Sequence, residues 1–152
     1  MIVHTNNPDI HALRKEMLSL ILSEHPAGCL FCSENTFCDS NMTTLCKTEW
    51  VTGCHNCPQN GVCELQQVVA ALGLTQVKYP TLTKKFVPET FDPFYDRDDN
   101  LCILCGRCIR ACQEYRLAEV ISFQQRGAHA RVGTAFGRSR LEADCEFCGL
   151  CV

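Results

Sequence analysis

The chain has 152 residues, 14 of them cysteine, and 14 Lys and Arg against 17 Asp and Glu give a formal charge of −3. Length allows one or two small domains, and the mildly acidic balance excludes the basic stripe that nonspecific nucleic-acid binding needs. A short chain this rich in cysteine needs covalent or metal staples. With no charged and apolar leader, and no run near the roughly 18 apolar residues of a membrane span, metal or redox chemistry in a cytoplasmic protein is expected rather than disulfides.

In chain order, Asn7 is a good helix cap and Pro8 suits the first helical position, which predicts a helix over 8–23. Ile10, Leu13, Met17, Leu20 and Ile21 recur at helical spacing and are expected to face the core, with His11, Arg14, Lys15 and Glu16 in solvent. Next comes His25-Pro26 followed by Cys29, Cys32 and Cys38, spaced H-x3-C-x2-C-x5-C. One imidazole and three thiolates suit iron and zinc equally on softness. The triad spacing then repeats in Cys54, Cys57 and Cys63, with Cys46 ahead of it. His55, inside the second C-x2-C loop, reads as facing solvent or a partner.

Residues 64–72 read as a helix stopped by Gly73. Residues 74–101 lack periodicity but hold Pro80, Pro88 and Pro93 and the aromatics Tyr79, Phe86, Phe91, Phe94 and Tyr95. Those rings need burial, so an ordered connector wrapping the surface is expected.

The strongest signal follows. Cys102, Cys105, Cys108 and Cys112 are spaced C-x2-C-x2-C-x3-C, and Cys145, Cys148 and Cys151 repeat the first three positions. Two-residue gaps let a tight loop wrap a corner of an iron–sulfur cube, and in two-cluster ferredoxins the fourth cysteine serves the other cluster. Buried or paired cysteines would not produce two spaced triads. Between the motifs, 117–123 reads as a strand, Gly127 as a turn and 130–134 as a return strand. Arg107, Arg110 and Arg116 suit either a solvated surface or compensation of cluster charge and docking.

These residues in this order resemble a known module: His25-Pro26 with Cys29, Cys32 and Cys38; Cys63-Glu64-Leu65-Gln66; Pro93-Phe94; Cys102 to Cys112; Arg126-Gly127; Phe136-Gly137; and Cys145 to Cys151. The module is the iron–sulfur part of the large Fe–S subunit of NADH:quinone oxidoreductase, shared with iron-only hydrogenases and some formate dehydrogenases. The resemblance implies one His-type [4Fe-4S] site and then two [4Fe-4S] clusters that conduct electrons. It implies a plant-type [2Fe-2S] domain as well, of which only a stretch like the last strand and exit helix is seen here. The Cys38–Cys54 insertion is also a departure, since C-x-L-Q usually follows a single His-type motif. A fourth cysteine of the last motif is expected four residues beyond Cys151.

Fourteen cysteines and His25 make fifteen candidate ligands, and the expected further cysteine would complete four sites of four. One division is His25/Cys29/Cys32/Cys38, Cys46/Cys54/Cys57/Cys63, Cys102/Cys105/Cys108 with the further cysteine, and Cys112/Cys145/Cys148/Cys151. A swap to Cys29/Cys32/Cys38/Cys46 and His25/Cys54/Cys57/Cys63 uses the same residues. Either N-terminal site also suits structural zinc, so three or four [4Fe-4S] clusters are expected.

The expected fold is α+β, built of small cluster-stapled modules. An N-terminal helix and His/Cys region (1–73) and an extended connector (74–101) precede a two-[4Fe-4S] ferredoxin-like domain, C-terminally incomplete (102–152). The expected role is a non-catalytic electron-transfer subunit. It would join a flavin- or ferredoxin-type donor to a catalytic oxidoreductase subunit with a molybdenum or tungsten pterin, such as that of a class II benzoyl-CoA reductase. The alternatives are a truncated N-terminal piece of an iron-only hydrogenase-like or formate dehydrogenase-like enzyme, and a zinc-ribbon binding module. Neither nucleic acid nor a transmembrane segment is expected.

Overall fold

Asn7 opens the first helix, α1 (Pro8–Ser23). Its side chain accepts a hydrogen bond from the Ile10 backbone N–H at 2.8 Å, and Pro8 occupies the first turn. There a missing N–H costs nothing, because the first N–H groups of a helix have no partner within it. Asn7→Ala should lower stability by about 1 kcal/mol in a urea melt, with Asn7→Asp close to the parent.

The computed structural model describes residues 3–26, 28–31, 54, 57–80, 82, 84–90, 92 and 94–152. The chain forms two compact units, Met1–Lys85 and Phe86–Val152. Their boundary falls within the stretch expected to be a connector.

In the first unit, α1 is followed by a 3-10 turn (Gly28–Phe31) and by α2 (Glu64–Leu72), which ends on Gly73 in the left-handed conformation at φ 59°. Both helices have the extents expected from sequence. The buried face of α1 does not. Leu18, Ser19, Leu22 and Ser23 are buried, while Leu13 is 62% and Met17 55% exposed. Leu20 and Ile21 are exposed too, and Ile10 is half-buried.

Two serines explain the rotation. The Lys78 backbone N–H donates to Ser19 Oγ at 2.8 Å, and the Leu82 N–H donates to the Ser23 carbonyl at 2.7 Å. The described residues of 74–85 thus run along α1, helped by ion pairs Lys78–Glu16 and Lys84–Glu24. This segment covers the serine face, and Leu18 and Leu22 turn in to meet Val69 of α2, with Leu30, Phe31, Leu65 and Val77 around them. A hydrogen bond from the Tyr79 hydroxyl, then the Lys78 ammonium, holds the Glu16 carboxyl below its ordinary range.

In the second unit, Asn100 is the organising side chain. It is buried, its Oδ1 accepts from the Phe86 N–H at 2.8 Å, and its Nδ2 donates to the Phe86 carbonyl at 2.8 Å. An antiparallel bridge joins Glu89 to Arg97. A 3-10 turn (Asp99–Leu101) leads into the first cysteine loop, then α3 (Arg107–Arg110) and a π turn (Ala111–Tyr115). Phe94, expected to need burial, is 74% exposed and meets the Phe147 ring at 6.1 Å between centroids.

The hairpin is β1 (Ile121–Gln124) and β2 (Arg131–Thr134), antiparallel, with Ile121 opposite Thr134 and Phe123 opposite Val132. The first strand starts later than the expected 117 because Leu117 and Glu119 have positive φ (56° and 50°), which ends extended pairing. Ile121 and Val132 pack on Ile109 of α3 to make the unit's buried core, and Cys102, Cys108, Cys112 and Cys151 lie against it. Among the described residues, the helices and one two-stranded sheet are compatible with the α+β class. Among the described residues no helix is long and apolar enough to cross a membrane.

Candidate metal centres

The two cysteine loops of the second unit share one backbone. In Cys102–Cys108 the third and fifth residues, Leu104 and Gly106, have φ of 57° and 72°. In Cys145–Cys151 the third and fifth, Phe147 and Gly149, have φ of 50° and 76°. In each loop the N–H of the third residue donates to the sulfur of the first: Leu104 to Cys102 and Phe147 to Cys145, both at 3.4 Å. The equal spacing thus yields equal geometry, with left-handed positions turning the chain so that successive cysteines come round one corner. Leucine and phenylalanine pay about 1–2 kcal/mol each to adopt that conformation.

Gly106 shows why its position is glycine. A Cβ there would lie 3.2 Å from Phe123 Cζ, at a φ that side chains rarely adopt. Gly106→Ala should cost about 1–2 kcal/mol in a denaturant melt, from backbone strain. Gly149→Ala has open space around its Cβ and should cost the strain alone.

One cavity collects the second set. Cys112, Cys145, Cys148 and Cys151 line it together with Cys108, Tyr95 and Arg140. Cys112 comes from the π turn after α3 and the other three from the C-terminal loop. The remaining first-loop cysteines sit apart from that wall, Cys102 half-buried and Cys105 exposed. Burial pushes the Cys108 thiol up, and Arg97 opposes the shift.

This donor set fits a cubane. Five cysteines, Cys108 among them, line one cavity, and amide donors already point at sulfur in both loops. Among the described residues no three His, Cys, Asp or Glu side chains converge closely enough for a single metal ion. Cysteines around a cubane each take a different corner and need not converge to a point. Cys112, Cys145, Cys148 and Cys151 would hold such a cluster, and Cys102, Cys105 and Cys108 would supply three ligands to another. A bound cluster would supply one-electron storage.

In the first unit, Cys29 is buried in the 3-10 turn, and Cys54, Cys57 and Cys63 are half-buried. Burial raises the Cys54 thiol, a hydrogen bond with Gln66 opposes that, and Cys29, Cys57 and Cys63 add to the rise. Cys29 therefore lies within electrostatic reach of the later triad, a grouping in neither division considered from sequence. Gln66 also accepts from the Gly61 N–H at 3.0 Å and donates to Asn60 Oδ1 at 2.9 Å, bracing the loop before α2. His25 is half-buried just beyond α1, its N–H donating to the Leu22 carbonyl at 3.4 Å. Cys32, Cys38, Cys46 and His55 lie outside the described residues.

Sequence reasoning missed three side chains. The Tyr95 hydroxyl lies 3.7 Å from Cys151 Sγ. Arg140 is 3% exposed, its Nη1 is 2.8 Å from Glu89 Oε2, off the hydrogen-bond direction, and its Nε has no hydrogen-bond partner. Arg97 pairs with Asp99 at 2.8 Å, close enough to Cys108 and Cys151 to feel their charge. Arg97 falls in the stretch after Pro93-Phe94 that carries the resemblance, but no role beside the cysteines was assigned to it, and Arg140 carries no spacing signal. Of the three arginines singled out from sequence, Arg116 is exposed, and its Nε donates to Glu146 Oε2 at 3.0 Å. It ties the end of the π turn to the second loop. Arg107 and Arg110 are exposed.

The geometry thus defines a cysteine-rich α+β chain with two matched metal-loop motifs beside a hairpin. No family model matches it. It is 35% identical over 151 residues to a protein of Staphylococcus haemolyticus named "Putative formate dehydrogenase", and 34% identical over the same length to one of the same name in Staphylococcus aureus strain MRSA252. Each alignment covers 99% of this chain, which spans 13% of the length of those relatives. Among solved structures, a chain in the crystal structure of an NAD+-reducing [NiFe]-hydrogenase in the H2-reduced state matches with a TM-score of 0.64. It is 24% identical, and the match covers 88% of this chain and 47% of that one. The two share a fold.

Proposed function

We propose that this chain is the electron-relaying iron–sulfur part of a larger oxidoreductase. It passes single electrons through [4Fe-4S] clusters between a flavin- or ferredoxin-type donor and a catalytic centre of the molybdenum or tungsten pterin type. It makes and breaks no substrate bonds itself. The observation that carries this reading is the pair of matched loops, with Cys112, Cys145, Cys148 and Cys151 around one cavity. The resemblance to proteins named as formate dehydrogenases favours formate as the substrate of the catalytic centre. The same similarity favours a second reading, in which these residues are one part of a single formate-oxidising polypeptide.

The first unit supplies the ligands of two further sites, His25, Cys29, Cys32, Cys38, Cys46, Cys54, Cys57 and Cys63. Iron–sulfur and zinc both suit that donor set. Metal and sulfide analysis of the anaerobically purified native complex tests the reading. About twelve to sixteen iron per chain, with matching sulfide, is the expected result, and about twelve iron with one zinc makes one N-terminal site structural. Zinc without sulfide overturns the electron-relay reading. The mass of the purified complex separates the two readings: a separate small subunit supports the first and one large polypeptide the second.

A further inference from the structure

The cavity wall formed by Tyr95 and Arg140 carries an inference that rests on the electron-relay reading and deepens it. We infer that the Tyr95 hydroxyl and the buried Arg140 guanidinium raise the reduction potential of the cluster held by Cys112, Cys145, Cys148 and Cys151, and so set its place in the relay.

Three observations support it. Tyr95 Oη is 3.7 Å from Cys151 Sγ. Once Cys151 binds metal as a thiolate, it can only accept, so the phenol donates. Arg140 lines the same cavity as those cysteines, and Glu89, its ion-pair partner at 2.8 Å, does not. The arginine of the pair, and not its carboxylate, therefore borders the sulfur set. Finally, Arg140 is 3% exposed, so solvent and salt screen it little. Its Nε lacks a hydrogen-bond partner among the described residues.

Reduction adds one electron to the cluster, drawn from the donor protein, and breaks no bond. It leaves the cluster and its thiolates one charge more negative. A hydrogen bond to a ligand sulfur and a nearby cation both stabilise that state more than the oxidised one, and both are recognised levers on potential. Two anions of the neighbourhood act the other way. Asp92 is buried, with Oδ1 accepting from the Phe94 N–H at 2.8 Å, and Glu89 is half-exposed. Neither lines the cavity.

The backbone adds a constraint. The Arg140 carbonyl accepts the Cys145 N–H at 3.0 Å, so Arg140 also positions the start of the second loop. Tyr95→Phe, which removes one hydroxyl and keeps the ring, is therefore the cleaner probe.

The test is a potentiometric titration of the full chain in its native complex, followed by electron paramagnetic resonance. The signal lost in Cys148→Ala identifies the cluster. In Tyr95→Phe, iron and sulfide should be retained. At the parent midpoint potential the oxidised-to-reduced ratio of that cluster should rise about tenfold, about 59 mV for a one-electron couple, with the other midpoints unmoved. Arg140→Gln should move it the same way, and Arg140→Lys less. A midpoint unmoved in Tyr95→Phe, with iron and sulfide intact, overturns the inference and leaves the relay reading standing. A parent protein without iron and sulfide overturns both. Where Arg140→Gln fails to fold, Tyr95→Phe alone decides.

Discussion

Cys112→Ala is expected to strip one cluster, about four iron and four sulfide, from the anaerobically purified protein and to leave the others in place. The reason is the position of Cys112. It follows the first cysteine loop in sequence, but the π turn after α3 places it on the wall shared with Cys145, Cys148 and Cys151. Cys108→Ala should remove the same amount of iron from the other cluster of that unit, and the double variant about eight iron. Iron and sulfide analysis with resonance spectra checks this. A Cys112→Ala protein with its full iron content would break the assignment of Cys112 to the second set.

The same variant should destabilise the second unit. Its buried aliphatic core is Ile109, Ile121 and Val132, with four cysteines packed against it. That is a small core for the residues it must order, and modules of this size rely on metal staples. The Cys112→Ala protein should show a lower melting temperature and faster proteolysis within 86–152.

Leu22→Ala is expected to cost the first unit about 2–5 kcal/mol, the range for a buried leucine that leaves a cavity. Leu22 is 1% exposed and sits between Leu18 and Val69. Leu13→Ala on the same helix should cost less than about 0.5 kcal/mol, because Leu13 is 62% exposed. Denaturant melts of the two variants compare them directly. Equal costs would mean that the face holding Leu13, Met17 and Ile21 is the buried one. In this structure that face lines a shallow apolar groove with Val68, Ala71 and Leu72.

Local signals were legible because their physics is local. Asn7 and Pro8 start α1 through groups within one turn of the helix. Gly73 ends α2 because only a left-handed residue closes it without strain. The hairpin was readable from two short apolar runs about a turn, although the first strand begins at Ile121 once Leu117 and Glu119 take positive φ. The metal loops were readable because ligand spacing is itself a geometric statement. Equal spacing produced equal torsions at Leu104 and Phe147 and at Gly106 and Gly149.

Other features depended on partners distant in sequence. Helical spacing pointed to the stripe of Ile10, Leu13, Met17, Leu20 and Ile21 on α1, and nothing local marked the face that is buried. Ser19 and Ser23, by accepting the Lys78 and Leu82 backbone groups, selected the one that includes Leu18 and Leu22. Cys29 lies in the field of Cys54, although 24 intervening positions separate them in the chain. Tyr95 and Arg140 reach the cysteine cavity from segments outside the cysteine motifs.

By itself, then, the sequence determined that this chain carries repeated thiol sets at metal-loop spacing, and where its two longer helices and its hairpin lie. These follow from backbone chemistry and ligand reach over a few residues. Only the tertiary structure decided which face of α1 is buried and which phenol and guanidinium stand beside the C-terminal sulfur set. Those outcomes come from packing and hydrogen bonding between segments tens of residues apart, where no spacing rule operates.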